Sequence, residues 1–287
     1  ILSESMSGKI VVMIPAFNEE KTIGAVIRSV PRKVRGRRVE VLVSDAGSRY
    51  ATARISKKAG ARRVVSHRTN LGVGAAFRTG IDEALKMGAE IIVTMDADGQ
   101  FDSRDIPRLV EPIIAGKADM VTCSRFLDKS LEPEMPVVKR FGNKVFRNIV
   151  NFFTGKNFTD TQCGFRAYSR EAALRLVLFG KFTYTQETII DAVDKGLRVT
   201  EIPCTFRKRA DKSRLFNGIV DYALRAVHTI IVGNLKLRPM STFGGVGILV
   251  IVAGILIGWP VILSFLATGR IGDAYLMRAI VTGILFI

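Results

Sequence analysis

Short, continuous apolar runs alternate with amphipathic stretches through the first 124 residues of the chain. The runs are typical of strands that are buried on both faces, and they cover residues 10–14, 39–43, 63–65, 91–95 and 120–124. Between them, apolar residues recur at helical spacing, as in the series Ile23, Val26, Ile27 and Val30. Strands that alternate with helices predict an α/β domain with a mostly parallel, doubly wound sheet.

The predicted helices have recognisable starts. Asn18 stands ahead of the first helix and is expected to cap it. The second helix covers about residues 51–59, and the third opens at Gly72 and Gly74, where a tight turn is favoured over a phosphate cradle. This loop lacks the third glycine of the dinucleotide fingerprint, because Phe77 stands in its place.

A different hydrophobic pattern begins at Thr242. Residues 242–267 carry no charged side chain, and their number exceeds the ~20 apolar residues with which a helix crosses a bilayer. Just before them, residues 216–235 are apolar on one face, which predicts a helix in the membrane interface, with packing on the α/β domain as the alternative. After Arg278 a second apolar run begins, and we expect it to be part of a second transmembrane helix.

Acidic residues stand where the predicted strands end. Glu19 follows the first strand, Asp45 follows the second, and Asp96 and Asp98 follow residues 91–95. Ligands of doubly wound sheets bind beyond the carboxyl ends of the strands, so these residues predict a site. Two carboxylates two residues apart can share a divalent cation with a diphosphate, and Gln100 adds a neutral oxygen ligand.

The chain is strongly basic, with a formal net charge of +17. This charge fits an anionic membrane or phosphorylated substrates; nucleic acid is excluded, because the basic residues are scattered and no nucleic-acid motif accompanies them. Eight Lys or Arg residues lie in residues 207–238, against two in residues 268–278. The positive-inside rule therefore places the α/β domain in the cytoplasm of a membrane-bound protein.

Cysteine and histidine offer little chemistry. Cys123, Cys163 and Cys204 are odd in number and lack CxxC spacing, so we expect reduced core thiols without a metal or a disulfide. His67 and His228 are the only histidines, and neither lies in a recognisable motif. Zinc sites and Ser-His-Asp triads are therefore not expected.

Six segments, in this order, resemble motifs of glycosyltransferase family 2, and the later ones resemble its polyprenyl-phosphate sugar synthases. They are residues 14–20 (IPAFNEE), 43–48 (VSDAGS), 96–100 (DADGQ), 123–126 (CSRF), 160–167 (DTQCGFRA) and 201–203 (EIP). The resemblance covers about residues 9–215. It implies a GT-A domain there, followed by a juxtamembrane amphipathic helix at 216–238 and a transmembrane segment at 242–287.

The resemblance also implies an activity: inverting transfer of a hexose from a nucleotide sugar, GDP-mannose or UDP-glucose, to a polyprenyl or dolichyl phosphate. Mg²⁺ or Mn²⁺ would be the cofactor, held with the diphosphate by Asp96, Asp98 and Gln100. The residues implied for the nucleotide sugar are Pro15, Phe17, Glu19, Asp45, Asp96, Arg209 and Ser213.

On the acceptor side, the resemblance implies that Arg125 faces the reacting phosphates and, with Asp98, acts in catalysis. Arg125, Lys139, Arg140 and Asn143 would bind the acceptor phosphate. The lipid bilayer is the implied environment, and a homo-oligomer is left open.

Alternatives remain at this point. The family usually has further acids where Ala46 and Tyr50 stand, so a membrane-tethered nucleotide-sugar-binding protein with a degenerate site is one alternative. Another family 2 enzyme with a different acceptor is a second, although the sole tryptophan, Trp259, does not fit the Gln-x-x-Arg-Trp motif of processive synthases. A nucleotidyltransferase would leave the membrane segment unexplained.

Overall fold

The structure is a computed structural model that describes residues 8–49, 51–133, 135–177, 184–207 and 239–270, together with Tyr275 and Ile280. The chain divides into two compact units, residues 1–230 and 231–287. The first unit is an α/β domain, and the described part of the second contains one long helix.

The described part of the first unit contains eight strands. They are β1 (Lys9–Ala16), β2 (Lys33–Val34), β3 (Arg37–Asp45), β4 (Arg63–Ser66), β5 (Ala89–Thr94), β6 (Met120–Ser124), β7 (Arg166–Ser169) and β8 (Val199–Pro203). The five apolar runs of the sequence correspond to β1, β3, β4, β5 and β6, so all five predicted strands are confirmed.

The described helices of this unit are α1 (Ile23–Ser29), α2 (Thr52–Lys58), α3 (Val73–Lys86), α4 (Ile106–Ile114), α5 (Val137–Thr154), α6 (Arg170–Arg175) and α7 (Thr185–Asp194). Helices α1 to α4 follow the strands as the sequence predicts, and the structure adds α5 to α7. The expected capping role of Asn18 is wrong: α1 begins at Ile23 after Thr22, and Asn18 lies four residues earlier with a left-handed φ of 55°.

The sheet is mixed, with the strand order β2-β3-β1-β5-β7-β6-β8 and with β4 paired to the carboxyl end of β3. β1 is parallel to β3 and β5, and β6 is parallel to β8. The expected parallel series closed by residues 120–124 is wrong in one respect, because β7 runs antiparallel between β5 and β6. After α5 the chain re-enters the sheet at the edge where β5 and β6 end, which is possible only for an antiparallel strand.

The central strands are buried on both faces, as their continuous apolar sequence predicts. Ile10, Val12 and Ile14 of β1 belong to the main core cluster. On the opposite face α3 packs closely, since a Cβ at Gly80 would come within 2.6 Å of the Met13 side chain. Tight packing on both faces of the sheet fixes the positions of the strand ends relative to one another.

The second unit contains α8 (Pro239–Thr268). Its segment Gly247–Thr268 has 22 residues and is long and apolar enough to cross a membrane, and within the described residues it is the one helix of this kind. The structure thus supports one candidate span. The predicted interfacial helix at 216–238 and most of the predicted second span after Arg278 lie outside the described residues.

Candidate functional site

The ends of three neighbouring strands form one edge of the sheet. Ala16 of β1 pairs with Asp45 of β3, and Met13 of β1 pairs with Thr94 of β5. The pairing continues past the strands, because the Met95 amide donates to the Met13 carbonyl at 3.1 Å. The loops that carry Glu19, Asp45 and the two aspartates after β5 are therefore adjacent, as the sequence predicts.

The turn after β3 holds a buried carboxylate. Asp45 Oδ1 accepts a hydrogen bond from the Ser48 amide at 3.0 Å and another from the Ser48 hydroxyl. Ser48 Oγ in turn accepts from the Asn18 amide at 2.9 Å, and Asn18 Oδ1 accepts from the Arg49 amide at 2.9 Å. Asn18 thus joins the loops after β1 and β3 rather than capping a helix.

Gly47 allows another loop to approach this turn. Its φ is +86°, and a Cβ there would lie 2.6 Å from the carbonyl carbon of Thr69. The loop at residues 69–72 forms a tight turn, in which the Gly72 amide donates to Asn70 Oδ1 at 2.8 Å. Ala46 is buried, and its amide donates to the Ala16 carbonyl at 2.8 Å.

The turn after β5 presents two partly exposed carboxylates, Asp96 and Asp98. Gly99 has a φ of +75°, which turns the chain back so that the Gln100 amide donates to Asp98 Oδ1 at 3.0 Å. Gln100 Nε2 donates to the Arg207 carbonyl at 3.3 Å, so the Gln100 amide oxygen points away from that bond.

Asp96 lies against the turn that precedes β7. A Cβ at Gly164 would come within 2.9 Å of both Asp96 Oδ1 and Tyr184 Oη, so only glycine fits there without displacement. Burial, followed by the charge of Asp96, raises the pKa of Tyr184, and its hydroxyl stays protonated. The Tyr184 ring is stacked on Phe77 at 4.1 Å between ring centroids, and its hydroxyl donates to the Gly164 carbonyl at 3.5 Å, close to Asp96.

Arg125 lies beneath the surface, with 7 % of it exposed. Its Nε and Nη2 donate to the two oxygens of Asp160 at 2.6 and 2.9 Å, and the rings of Phe126 and Phe206 lie 5.5 and 5.4 Å from the guanidinium carbon. Burial lowers the pKa of Arg125, but the charge of Asp160 outweighs it and the net shift is upward. Burial raises the pKa of Asp160, but the charge of Arg125 lowers it by more, so the net shift is downward. Both groups are therefore charged.

Glu201 of β8 completes this buried network. Its Oε1 accepts from the Asp160 amide at 2.9 Å, and its Oε2 accepts from the Thr159 amide at 2.7 Å. Burial raises the pKa of Glu201 above its ordinary value. The motifs at 123–126, 160–167 and 201–203, distant in sequence, are thus bound to one another by charged hydrogen bonds.

The predicted acceptor residues occupy different environments. Lys139 and Arg140 are exposed near the start of α5, and Arg140 Nη2 pairs with Glu132 at 2.5 Å. Asn143 is buried, with Nδ2 3.7 Å from Met135 Sδ. Arg125 is engaged by Asp160, so its contact with the reacting phosphates stays a prediction. Arg209 and Ser213 lie outside the described residues.

Sequence reasoning missed several residues that build the site. Arg166 is fully buried and donates to the carbonyls of Cys163 at 2.8 Å and Thr185 at 2.6 Å, which fixes the turn containing Gly164. Asp160, Gly164 and Arg166 belong to the recognised 160–167 motif, so the motif was visible although their tasks were not. Tyr184 stands in no motif, and only the structure brings it to Asp96.

The other expectations concern residues away from the site. All three cysteines are free and buried, as predicted. His67 Nε2 lies 2.9 Å from Thr79 Oγ1, in agreement with a structural role. His228 lies outside the described residues.

The side chains after β5 fit a hard divalent cation. Within the described part of the chain, no cluster of three or more His, Cys, Asp or Glu residues with metal-site geometry is present. The protein therefore offers two carboxylates, with the Gln100 amide oxygen nearby. Such a set suits Mg²⁺ or Mn²⁺ that completes its coordination with substrate phosphate oxygens and water.

The chain is similar to known glycosyltransferases. The family described as glycosyl transferase family 2 matches residues 11–176. An uncharacterised protein of Methanocaldococcus jannaschii is 38% identical over 205 residues, covering 70% of this chain and 83% of the relative. A UDP-N-acetylglucosamine–dolichyl-phosphate N-acetylglucosaminyltransferase of Methanococcus voltae is 30% identical, covering 69% of this chain and 86% of the relative. The polyprenol monophosphomannose synthase of Mycolicibacterium smegmatis is 30% identical, covering 69% of this chain and 77% of the relative.

A solved structure has the same fold. Glucosyl-3-phosphoglycerate synthase from Mycobacterium tuberculosis, in complex with Mn²⁺, UDP and glucosyl-3-phosphoglycerate, superposes with a TM-score of 0.59 at 24% identity. The match covers 80% of each chain. The GT-A-like α/β fold expected from the sequence motifs is therefore confirmed.

Proposed function

The chain belongs to glycosyl transferase family 2, and on this basis we propose that it is a metal-dependent, inverting hexosyltransferase. The donor is a GDP- or UDP-linked hexose, mannose or glucose, and the acceptor is a polyprenyl phosphate such as dolichyl phosphate. The observation that carries the proposal is the adjacency of the loops bearing Glu19, Asp45 and the Asp96–Asp98 pair at one sheet edge. Relatives named as dolichyl- and polyprenyl-phosphate sugar transferases support the acceptor class.

On the donor side, Pro15, Phe17, Glu19 and Asp45 hold the nucleoside. Hydrogen bonds join the loops after β1 and β3 beside this donor site. The Asn18 amide donates to Ser48 Oγ, and the Arg49 amide donates to Asn18 Oδ1. Asp45 provides the first carboxylate of the family motif, although Ala46 stands where the family usually has a second acid. Arg209 and Ser213 belong to the same donor site in this proposal.

Asp96, Asp98 and Gln100 hold Mg²⁺ or Mn²⁺ with the donor diphosphate. When bound, the ion would neutralise charge that develops on the departing nucleoside diphosphate. Gly164 leaves the space that Asp96 occupies, and the Gln100 amide donates to Asp98. Two rigidly placed carboxylates lose little entropy when the charged donor arrives.

The acceptor supplies its own nucleophile. A phosphate monoester has a second pKa of about 6, so its oxygen is anionic at neutral pH and needs no general base. In-line attack on the anomeric carbon forms the new C–O bond as the bond to the nucleoside diphosphate breaks, which inverts that carbon. Arg125, Lys139 and Arg140 offset the repulsion between the two phosphate-bearing substrates, and Asn143 binds the acceptor phosphate with them.

The membrane segment places this chemistry at a bilayer. A polyprenyl chain stays in the lipid, so its phosphate is available only at the interface. In this proposal the catalytic domain at 9–215 faces the cytoplasm, and residues 216–238 and 242–287 hold it at the membrane, with α8 as one span. A homo-oligomer is compatible with this arrangement.

The test is a transfer assay with the full chain in lipid nanodiscs containing polyprenyl phosphate. Mn²⁺ and labelled GDP-mannose, UDP-glucose or UDP-N-acetylglucosamine are supplied in turn, and Asp98→Asn is compared with Asp82→Asn, an exposed aspartate on α3. We expect one hexose donor to give a polyprenyl-phosphate sugar of inverted anomeric configuration, with loss in Asp98→Asn only. A retained anomer would exclude direct attack, and donor binding without transfer would favour a binding protein.

A further inference from the structure

Helix α5 has an inner and an outer face. Phe146 and Val150 are buried together with Asn143, and they fall on one side of the helix because side chains three, four and seven residues apart share a face. This side packs on α7. Asn151 fixes the helix end, donating to the Phe158 carbonyl at 3.0 Å and accepting from its amide at 2.9 Å.

The outer face of α5 is mainly apolar over four turns, and Asn148 is an exposed polar residue within it. Val137 is 82% exposed, Phe141 66%, Val145 38% and Phe152 83%. At about 100° per residue these four side chains lie within about 80° of one another around the helix. An exposed stripe with two phenylalanines is unusual on a surface in contact only with water, and such stripes mark interaction sites.

Basic residues flank this stripe. Arg140, Lys144 and Arg147 follow one border of it at helical spacing, and residues 135–159 contain no aspartate or glutamate. Arg147 bonds to a neutral group, the Asn148 side chain, at 3.3 Å. The stripe and its basic border together form what we term the α5 face: residues 137, 140, 141, 144, 145, 147 and 152.

We propose that the α5 face lies in the headgroup region of an anionic bilayer, so that the catalytic domain makes a membrane contact of its own. Phe141, Val145 and Phe152 enter the boundary of the acyl chains, and the basic residues contact lipid phosphates. An apolar arc bordered by Lys and Arg is the composition of interfacial helices. This contact is additional to α8 and to residues 216–238, and it does not depend on which sugar is transferred.

The charge of the α5 face selects lipid over a second copy of the chain. Two copies joined through this face would bring Lys144 and Arg147 of one copy against those of the other, while Arg140 is already paired with Glu132, and the whole chain carries a net charge of +17. Anionic headgroups neutralise the same side chains while the phenylalanines lose their contact with water.

Site-directed spin labelling of the full chain in single-copy nanodiscs tests the proposal. Nitroxides are attached at Phe141→Cys and Phe152→Cys, with Lys58→Cys and Lys117→Cys as exposed controls on other elements. The native Cys123, Cys163 and Cys204 are buried, so the added thiols react preferentially. Collision rates with oxygen, which concentrates in lipid, and with a nickel chelate, which stays in water, report the depth of each label.

We expect the labels at 141 and 152 to be shielded from nickel and open to oxygen in discs containing anionic lipid, while both controls stay open to nickel. Lys144→Gln and Arg147→Gln should each lower the ratio of docked to undocked label about fivefold, since each basic residue near an anionic surface contributes about that factor. Nickel accessibility equal to the controls would overturn the proposal. Shielding that needs two copies in one disc would assign the face to self-association and overturn it equally.

Discussion

The two halves of the catalytic sheet are built on different principles. In the parallel half, made of β4, β3, β1 and β5, the strand interiors are largely apolar and most charged residues lie at the strand ends, although Glu40 within β3 is buried and pairs with Lys9 and Arg38. In the mixed half, made of β7, β6 and β8, the charged groups Arg125, Asp160 and Arg166 are buried. The first half places the partly exposed Asp96 and Asp98 where a ligand can reach them, whereas the buried charges of the second half hold its own segments together.

The difference has an energetic basis. Asp96 and Asp98 after β5 are partly exposed and keep part of their hydration, so the parallel half bears them at little cost. A buried charge costs several kcal/mol unless an opposite charge and further hydrogen bonds compensate it. Asp160 receives these from Arg125 and from the Gln162 amide. We therefore expect mutations of charged residues to affect chiefly chemistry in the parallel half and folding in the mixed half.

The largest effect on stability is expected for Asp160→Asn. The change leaves Arg125 buried without a counter-charge, and we expect the free energy of unfolding to fall by about 3–5 kcal/mol. Urea unfolding in detergent, followed by circular dichroism, measures it. Glu171→Gln, which removes an exposed charge on α6, is the control and should change the value by less than about 0.5 kcal/mol.

A paired replacement sharpens this test. Arg125→Met with Asp160→Leu removes both charges and should restore most of the lost stability. If Arg125 also contacts the reacting phosphates, transfer remains abolished while donor binding is kept. Recovery of turnover together with stability would show that Arg125 serves the fold alone.

Asp96→Asn and Asp98→Asn test the parallel half. Each removes one carboxylate from the pair that we propose to hold the cation, and turnover should fall at least about a hundredfold, or about 2.7 kcal/mol. Because both side chains are partly exposed, the urea midpoint should not move. Unchanged turnover in both variants would remove the metal site from the proposal.

Gly164→Ala probes the contact between the halves. The added methyl group would come within 2.9 Å of Asp96 Oδ1, which displaces the carboxylate, and we expect about a tenfold loss in transfer at saturating acceptor. Gly142→Ala, in open space on α5, is the matched control and should leave donor affinity unchanged while raising stability slightly. Equal losses in both variants would contradict the special role of position 164.

The smallest expected effect is on the pH dependence of stability, and it concerns Asp102 in the segment after β5. Asp102 accepts from Arg104 and from Arg207 Nη2, the latter at 2.7 Å. The hydrogen bond from Arg104 lowers the pKa of Asp102, burial opposes this, and the net shift is downward. Because the folded-state pKa lies below the unfolded value of about 3.9, the contribution to stability is complete above about pH 4 and is lost as the pH falls.

Asp102→Asn should therefore lower the free energy of unfolding by about 1 kcal/mol at pH 6, and the deficit should shrink below pH 4. Urea midpoints of both proteins between pH 3 and pH 6 measure it. A deficit independent of pH would show that Asp102 contributes through packing.

The sequence by itself determined the strands and helices of the parallel half and the family. Continuous apolar runs leave no choice but strands with two buried faces, and the acids after residues 10–14, 39–43 and 91–95 then meet at one edge. The 22-residue apolar stretch of α8 is also found from the sequence, because its length and composition alone make it a candidate span. These features depend on neighbours along the chain, so periodicity suffices to find them.

Only the tertiary structure decided the rest. The antiparallel direction of β7, the burial of Arg125 and the approach of Asp96 and Tyr184 to Gly164 depend on contacts between residues far apart in sequence. The exposure of the outer face of α5 also depends on tertiary structure. The sequence indicates an amphipathic helix, but it does not show which apolar side other elements cover. The local pattern determines which element a segment can form. Tertiary packing determines which residue compensates a buried charge and which apolar stripe stays uncovered.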